Sequence, residues 1–213
     1  MIFRSPDLWL LYLGGIPDIY ALWVVGTWAP AMFREIGVET LARSSLYSSL
    51  LGISAIPGLA LTGLMSDRLV RRGKGRKGLI AIEFFLISVF MFLLGYGLEL
   101  KVNLYLFLFF FFMAGFFIWG HWAAFYALLP DIVPYEILGT AYGLTNTIHF
   151  LGSLIAPWAT GWIRDVTGSF SWGLYLSGIF CVAGGILIFF VSPAFRWRKE
   201  RHLVDHPGVE PTS

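Results

Sequence analysis

Tyr142, Asn146, His149 and Ser153 stand at i, i+4, i+7 and i+11 in a mostly apolar run. On a helix that spacing makes one polar face. A phenol, an amide, an imidazole and a hydroxyl on one face can bind a polar solute in a water-filled cavity. They can also bond a neighbouring helix, at about 0.6 kcal/mol per bond. Asp18 follows Gly14-Gly15 and Pro17 in another apolar run. A carboxylate at mid-span costs about 2.5–3.5 kcal/mol on insertion scales. Two uses offset such a cost, a proton relay or a cation contact; the plain alternative is a partly hydrated carboxylate nearer the interface. Pro17 frees a backbone carbonyl beside it and favours a kink. His121, in IWGHWAAF, suits either a proton carrier or a neutral imidazole bonded to a neighbouring helix. Glu83 is expected to pair with a nearby Lys or Arg or to face a cavity.

Other chemistries are excluded or unsupported. His121 and His149 lack the H-x-x-x-H or E-x-x-H spacing of a metal site, so no metal and no cofactor is expected. The single cysteine, Cys181, excludes an internal disulfide. No nucleophile elbow, phosphate loop or zinc motif appears, so no enzyme is expected. No basic face with interleaved aromatics suits nucleic acid.

The elements that must carry these residues are membrane spans. Of 213 residues, 57% are hydrophobic, 18% aromatic and only 13% charged. A soluble domain carries about a quarter charged residues. Six segments approach the roughly 20 residues that cross a bilayer as helix. They run approximately over 8–31, 46–65, 79–98, 104–129, 138–163 and 170–191. The first is too long for a signal peptide and holds Asp18, so it is expected to be retained. Trp28, near its end, is expected in an interfacial aromatic belt. The stretch 196–213 reads as a basic then polar tail, expected to be disordered.

Charge sets the orientation. The N-terminus, the loops after spans 2 and 4, and the C-terminus hold Arg4, Arg68, Arg71, Arg72, Lys74, Arg76, Lys77, Arg196, Arg198, Lys199 and Arg201, eleven of the fifteen basic residues. The other side holds four, Arg34, Arg43, Lys101 and Arg164. By the positive-inside rule both termini are expected in the cytoplasm, most naturally at the plasma (inner) membrane. The basic loop can also touch anionic lipid.

Charge alone does not explain the order of residues in GLMSDRLVRRGKGRKG, Gly63 to Gly78. Gly63 and Asp67 share a helix face at i, i+4. Glycine there admits a neighbouring helix, and the aspartate can pair with a basic residue. Gly63-x-x-x-Asp67-Arg68, followed by Gly75-Arg76-Lys77, resembles the cytoplasmic loop signature G-x-x-x-D-R-x-G-R-R/K of the major facilitator superfamily. Here the insertion LVRRGK delays the second part. TWAPAMFREIGV resembles the seventh helix of organic-anion members. LGTAYGLTNTIHFLGSLIAPWATGWIRDVTGSFSWG resembles their eleventh helix and the loop into the twelfth. The resemblance as a whole covers residues 6–195.

The resemblance implies an all-α integral membrane fold, six helices as two inverted three-helix repeats, the C-terminal half of a twelve-helix transporter. The sequence carries a trace of the repeat: AIPGLALTGLMSD ending span 2 echoes IAPWATGWIRD ending span 5. The resemblance also implies a cavity role for span 5 and for Tyr20, which matches a tyrosine common in the anion group. Candidate substrate residues are thus Asp18, Tyr20, His121, Tyr142, Asn146 and His149. Candidate gating residues are Gly63, Asp67, Arg68, Gly75, Arg76, Lys77 and Glu136. Asp131 and Glu136, in LPDIVPYEILG, can engage the basic loop; otherwise they cap the start of span 5.

Three functions are open. One is ion- or proton-coupled transport of a small polar solute, such as an organic anion or sugar acid. It would act with an N-terminal six-helix half, in the same or a separate chain, or as a homodimer. The second is a half-size membrane protein that does not transport, either a remnant or a sensor. The third, a membrane enzyme using His121 and His149, has no catalytic constellation behind it.

Overall fold

In a computed structural model, residues 6–191 are described. Arg4, the four basic residues from Arg196 to Arg201 and the tail over 196–213 lie outside them.

The described residues are helical. The helices are α1 (Pro6–Gly14), α2 (Ile16–Glu35), α3 (Leu41–Ser48), α4 (Leu50–Arg71), α5 (Lys77–Glu99), α6 (Leu104–Ile132), α7 (Leu138–His149), α8 (Leu151–Thr167) and α9 (Ser171–Phe190). A short 3-10 turn, Tyr135–Ile137, precedes α7.

Local chemistry sets the boundaries. Pro17 has no N–H to give the preceding turn, and the chain breaks at Gly15 between α1 and α2. The Thr40 hydroxyl accepts from the Arg43 N–H at 3.3 Å to start α3, and the Asn103 side chain accepts from the Leu106 N–H at 3.0 Å to start α6. Gly73, at φ +72°, takes the left-handed turn that ends α4. Arg68 and Arg71 therefore lie on α4, not in the loop where the sequence suggested them. At Ser49 and Phe150 there is no proline. There, serine hydroxyls bond back to their own helix: Ser49 to the Leu46 carbonyl, 2.6 Å, and Ser153 to the Phe150 carbonyl, 2.7 Å. Such bonds bend helices.

Five helical stretches are long and apolar enough to cross a membrane: Pro6–Glu35, Leu41–Arg71, Lys77–Glu99, Leu104–Ile132 and Ser171–Phe190. The fifth expected span, over 138–163, is the helix pair α7 and α8 and is not among them. Its polar residues, Tyr142, Thr145, Asn146, Thr147 and His149, dilute its apolar character.

Packing follows a repeated pattern. α4 lies along α6, and α8 lies along α2; α5 lies along α9. α5 also packs on α6, and α9 on α1 and α2. The contact faces of α4 and α8 are rows of small residues at every fourth position. Ser54, Gly58, Thr62 and Ser66 are buried on α4, and Gly152, Ala156 and Thr160 on α8. A Cβ on Gly58 would stand 2.4 Å from the Phe116 carbonyl oxygen, and one on Gly152 2.6 Å from that of Ile16. Both glycines let two backbones touch. Gly63, expected to do this, does not: a Cβ there would meet only the Ala123 Cβ, at 3.9 Å. One turn along the helix, Gly63 has rotated off the contact row.

Candidate functional site

Asp18 sits in the first turn of α2 and is 2% exposed. The Trp122 indole N–H on α6 donates to its Oδ2 at 2.6 Å. Its Oδ1 has no protein partner. Asp18, Ile19, His121, Trp122, Phe125, Tyr126 and His149 line one narrow crevice between α2, α6 and α7.

His149, at the end of α7, reaches α1: its Nε2 lies 3.3 Å from the Leu11 carbonyl oxygen, so an N–H there donates to it. The break at Gly15 makes room, since a Cβ on Gly15 would stand 2.0 Å from the His149 ring. Phe125 sits edge-on against His149, 5.0 Å between ring centres. His121 packs on Phe84 (4.4 Å) and Phe125 (5.1 Å), and its Nδ1 has no protein partner. The expected hydrogen bond from His121 to a neighbouring helix is therefore absent at Nδ1; aromatic walls hold the ring instead.

The stripe on α7 faces α6. The Tyr142 hydroxyl donates to the Tyr126 carbonyl at 2.9 Å, and the Tyr126 hydroxyl donates to Asn146 Oδ1. Ser153 leaves the stripe, because the bend at Phe150 turns its hydroxyl to its own helix. Tyr20 lies elsewhere, edge-on to Phe180 of α9, 5.2 Å between ring centres. Asp18, His121 and His149 are thus together, Tyr142 and Asn146 adjoin them, and Tyr20 is apart.

Trp122 and Tyr126 escaped the sequence reading. Trp119, Trp122 and Tyr126 fall at i, i+3 and i+7, one face of α6, and all three aim their donors at other helices, Tyr126 at Asn146. Trp119 bonds the Leu51 carbonyl at 2.8 Å and Trp122 bonds Asp18. Trp28 is likewise no mere belt residue: its N–H donates to the Pro157 carbonyl at 3.1 Å, joining α2 to α8.

At one end of the bundle Arg76 ties three segments together. Its guanidinium reaches Asp67 on α4 at 3.1 Å, Asp131 on α6 at 3.2 Å and the Ser66 hydroxyl. Beside it Lys77 donates to the Val191 carbonyl at 3.0 Å and lies over the Phe189 ring, pinning α5 to the end of α9. At the opposite end Glu35 of α2 accepts from the Ser169 hydroxyl and the Phe170 N–H.

Residues 11–210 match the Major Facilitator Superfamily. The chain belongs to that superfamily. It is 26% identical over 87% of its length to a probable sulfoacetate transporter of Cupriavidus necator, covering 43% of that protein. It is 27% identical to a hexuronate transporter of Bacillus subtilis, over 80% of the chain and 39% of the relative. It is 28% identical to a putative tartrate transporter of Agrobacterium vitis, over 87% and 37%. The chain thus spans about two fifths of the length of these relatives. Its fold matches the inward-open xylose transporter XylE of E. coli with a TM-score of 0.69 and 14% identity, over 99% of the chain and 58% of XylE. These superfamily relatives are transporters, not enzymes.

Within the superfamily signature, Asp67, Arg76 and Lys77 carry the contacts. Arg68 and Gly75 are exposed, and no side chain approaches Gly75, where a Cβ would find nothing within 4 Å. Glu136 stands on the 3-10 turn. Asp131, in the same segment, pairs with Arg76 at 3.2 Å.

Proposed function

We propose that this chain is the C-terminal half of a secondary transporter that carries a small organic anion or sugar acid. Coupling is to protons or another ion, by alternating access. The observation that carries this reading is Asp18, a buried carboxylate in a membrane helix of this superfamily, bonded across the bundle to Trp122 beside His121 and His149. Buried ionisable groups in membrane bundles mark solute or proton paths. The relatives' names supply the substrate class. Asp18, His121, Tyr142, Asn146 and His149 are the residues proposed to face solute or coupling ion, with Tyr20 behind them supporting α2.

In this reading the chain has six spans in two inverted trios, α7 and α8 together forming the fifth. The exchange symmetry of the packing supports it: α4 on α6 repeats as α8 on α2. Both termini then lie in the cytoplasm, at the plasma membrane. Arg76 is the centre of a cytoplasmic gate with Asp67 and Asp131, flanked by Gly63, Arg68, Gly75, Lys77 and Glu136. The other six helices come from an N-terminal half, on the same or another chain, or from a second copy.

The test is uptake of labelled sulfoacetate, hexuronate and tartrate into vesicles carrying the native protein, with the mass of that protein measured in its own membrane. Accumulation that collapses in Asp18→Asn supports the reading. No uptake of any acid by an intact protein of about twice this mass sinks it. A second reading is a half-size protein that does not transport. A native mass equal to this chain, with no uptake, selects it.

A further inference from the structure

Glu83 lies on α5, six residues after Lys77, yet it meets neither Lys77 nor the basic loop. It is 3% exposed. Among the described residues, Arg76 pairs with Asp67 and Asp131, and neither Glu83 nor Asp18 is in an ion pair. Three oxygens from three sources surround one point, the place a Cβ on Gly120 would take. Thr62 Oγ1 is 2.6 Å from it, the Gly58 carbonyl oxygen 3.3 Å and Glu83 Oε1 3.4 Å. Glu83 Oε2 is buried without a protein partner. Glycine at 120 leaves room for this gathering of a carboxylate, a hydroxyl and a carbonyl between α4, α5 and α6.

The Thr62 hydroxyl can donate to the carboxylate but carries no charge, and an ionised carboxylate repels the Gly58 carbonyl beside it. Among the described residues no Lys or Arg pairs with Glu83; α4 brings the Thr62 hydroxyl and the Gly58 carbonyl to it across Gly120, and His121 packs on the neighbouring Phe84. A buried carboxylate in this setting needs a positive charge from outside the chain.

We infer that Glu83, Thr62 and the Gly58 carbonyl form a buried site for one monovalent cation, a proton or a sodium ion, separate from the Asp18 crevice. A proton on Glu83 bonds to the Gly58 carbonyl or to Thr62; a sodium ion takes the same oxygens as ligands. Either occupant ties α4, α5 and α6 at the level of Gly120. Its use as a coupling site rests on the transport reading, but its occupancy does not.

The experiment measures the unfolding midpoint of the full native protein in detergent. Sodium chloride is compared with choline chloride at matched ionic strength, and pH is varied with sodium absent. The wild type is expected to be stabilised by sodium, or, if the occupant is a proton, by falling pH alone. Glu83→Gln, with no charge to neutralise, is expected to lose that response, surface groups contributing equally to both proteins. Thr62→Val keeps the carboxylate and loses one oxygen; it is expected to need about tenfold more cation for half the effect. Equal responses in wild type and Glu83→Gln, or no response in the wild type, overturn the site. If Glu83→Gln does not fold, an unchanged half-effect concentration in Thr62→Val overturns it. Uptake with no cation response removes this site and leaves the transport reading. A cation response without uptake does the reverse.

Discussion

The bond from Trp122 to Asp18 is the contact on which the crevice depends, and a double-mutant cycle isolates it. Trp122→Phe keeps most of the ring and removes one N–H. Asp18 Oδ1 already has no protein partner, and Oδ2 has the indole at 2.6 Å, so the variant strands the whole carboxylate in a site where it is 2% exposed. Cross-helix hydrogen bonds in membrane proteins average about 0.6 kcal/mol. Bonds to a charged group are worth about 1.5–3 kcal/mol, and a stranded acceptor adds its own penalty. A short bond to a buried carboxylate belongs in the second class, so Trp122→Phe should cost about 2 kcal/mol. In an Asp18→Asn background the same change breaks a neutral bond and should cost about 0.6 kcal/mol. The coupling is the difference, about 1.4 kcal/mol, or roughly 3–6 °C in unfolding midpoint for a chain of this length. The assay is thermal unfolding of the four proteins in one detergent. A coupling within about 0.3 kcal/mol of zero refutes the bond as a determinant of the site.

Gly58→Ala places a methyl 2.4 Å from a backbone oxygen of α6 and should cost about 1–3 kcal/mol; Gly63→Ala, with 3.9 Å of clearance, should gain up to about 1 kcal/mol from helix propensity. Unfolding midpoints in detergent read both, and the reverse order would sink the packing register. Gly15→Ala should drive the His149 ring off the Leu11 carbonyl; the histidine ring resonances should shift, while unchanged resonances would mean the ring is not seated there. Arg76→Gln should loosen one end of the bundle and raise exchange between open and closed states, read by distances between spin labels on α4 and α6; Glu136→Gln should do so less, and no change in either sinks the gate. Glu35→Gln should weaken the tie to the Ser169–Phe170 turn at the opposite end, raising amide hydrogen exchange at Phe170.

Five long apolar helices, the α7 face and the Arg76 region were legible in the sequence, because apolar length and i, i+4 spacing are properties of one helix. What was illegible depended on two. Gly63 and Gly58 are both small residues on α4, and only the approach of Phe116 and Gly120 separates the one that touches from the one that does not. Trp122 looked like any aromatic in an apolar span, until α2 brought a carboxylate to its N–H. Glu83 is the sharpest case. Its expected partner was the basic loop, since Lys77 is six residues away in the chain. Six residues of helix rise about 9 Å and turn about 240°. Glu83 therefore points away from the loop and into the bundle, against Thr62 and Gly120. The sequence pattern that marks this is on the partner helices: Gly58 and Thr62 four apart on α4, and Gly120 on α6, each on the inner face. A carboxylate on one helix facing small and hydroxyl residues on two others is a statement about three helices at once. Periodicity within any one of them does not contain it.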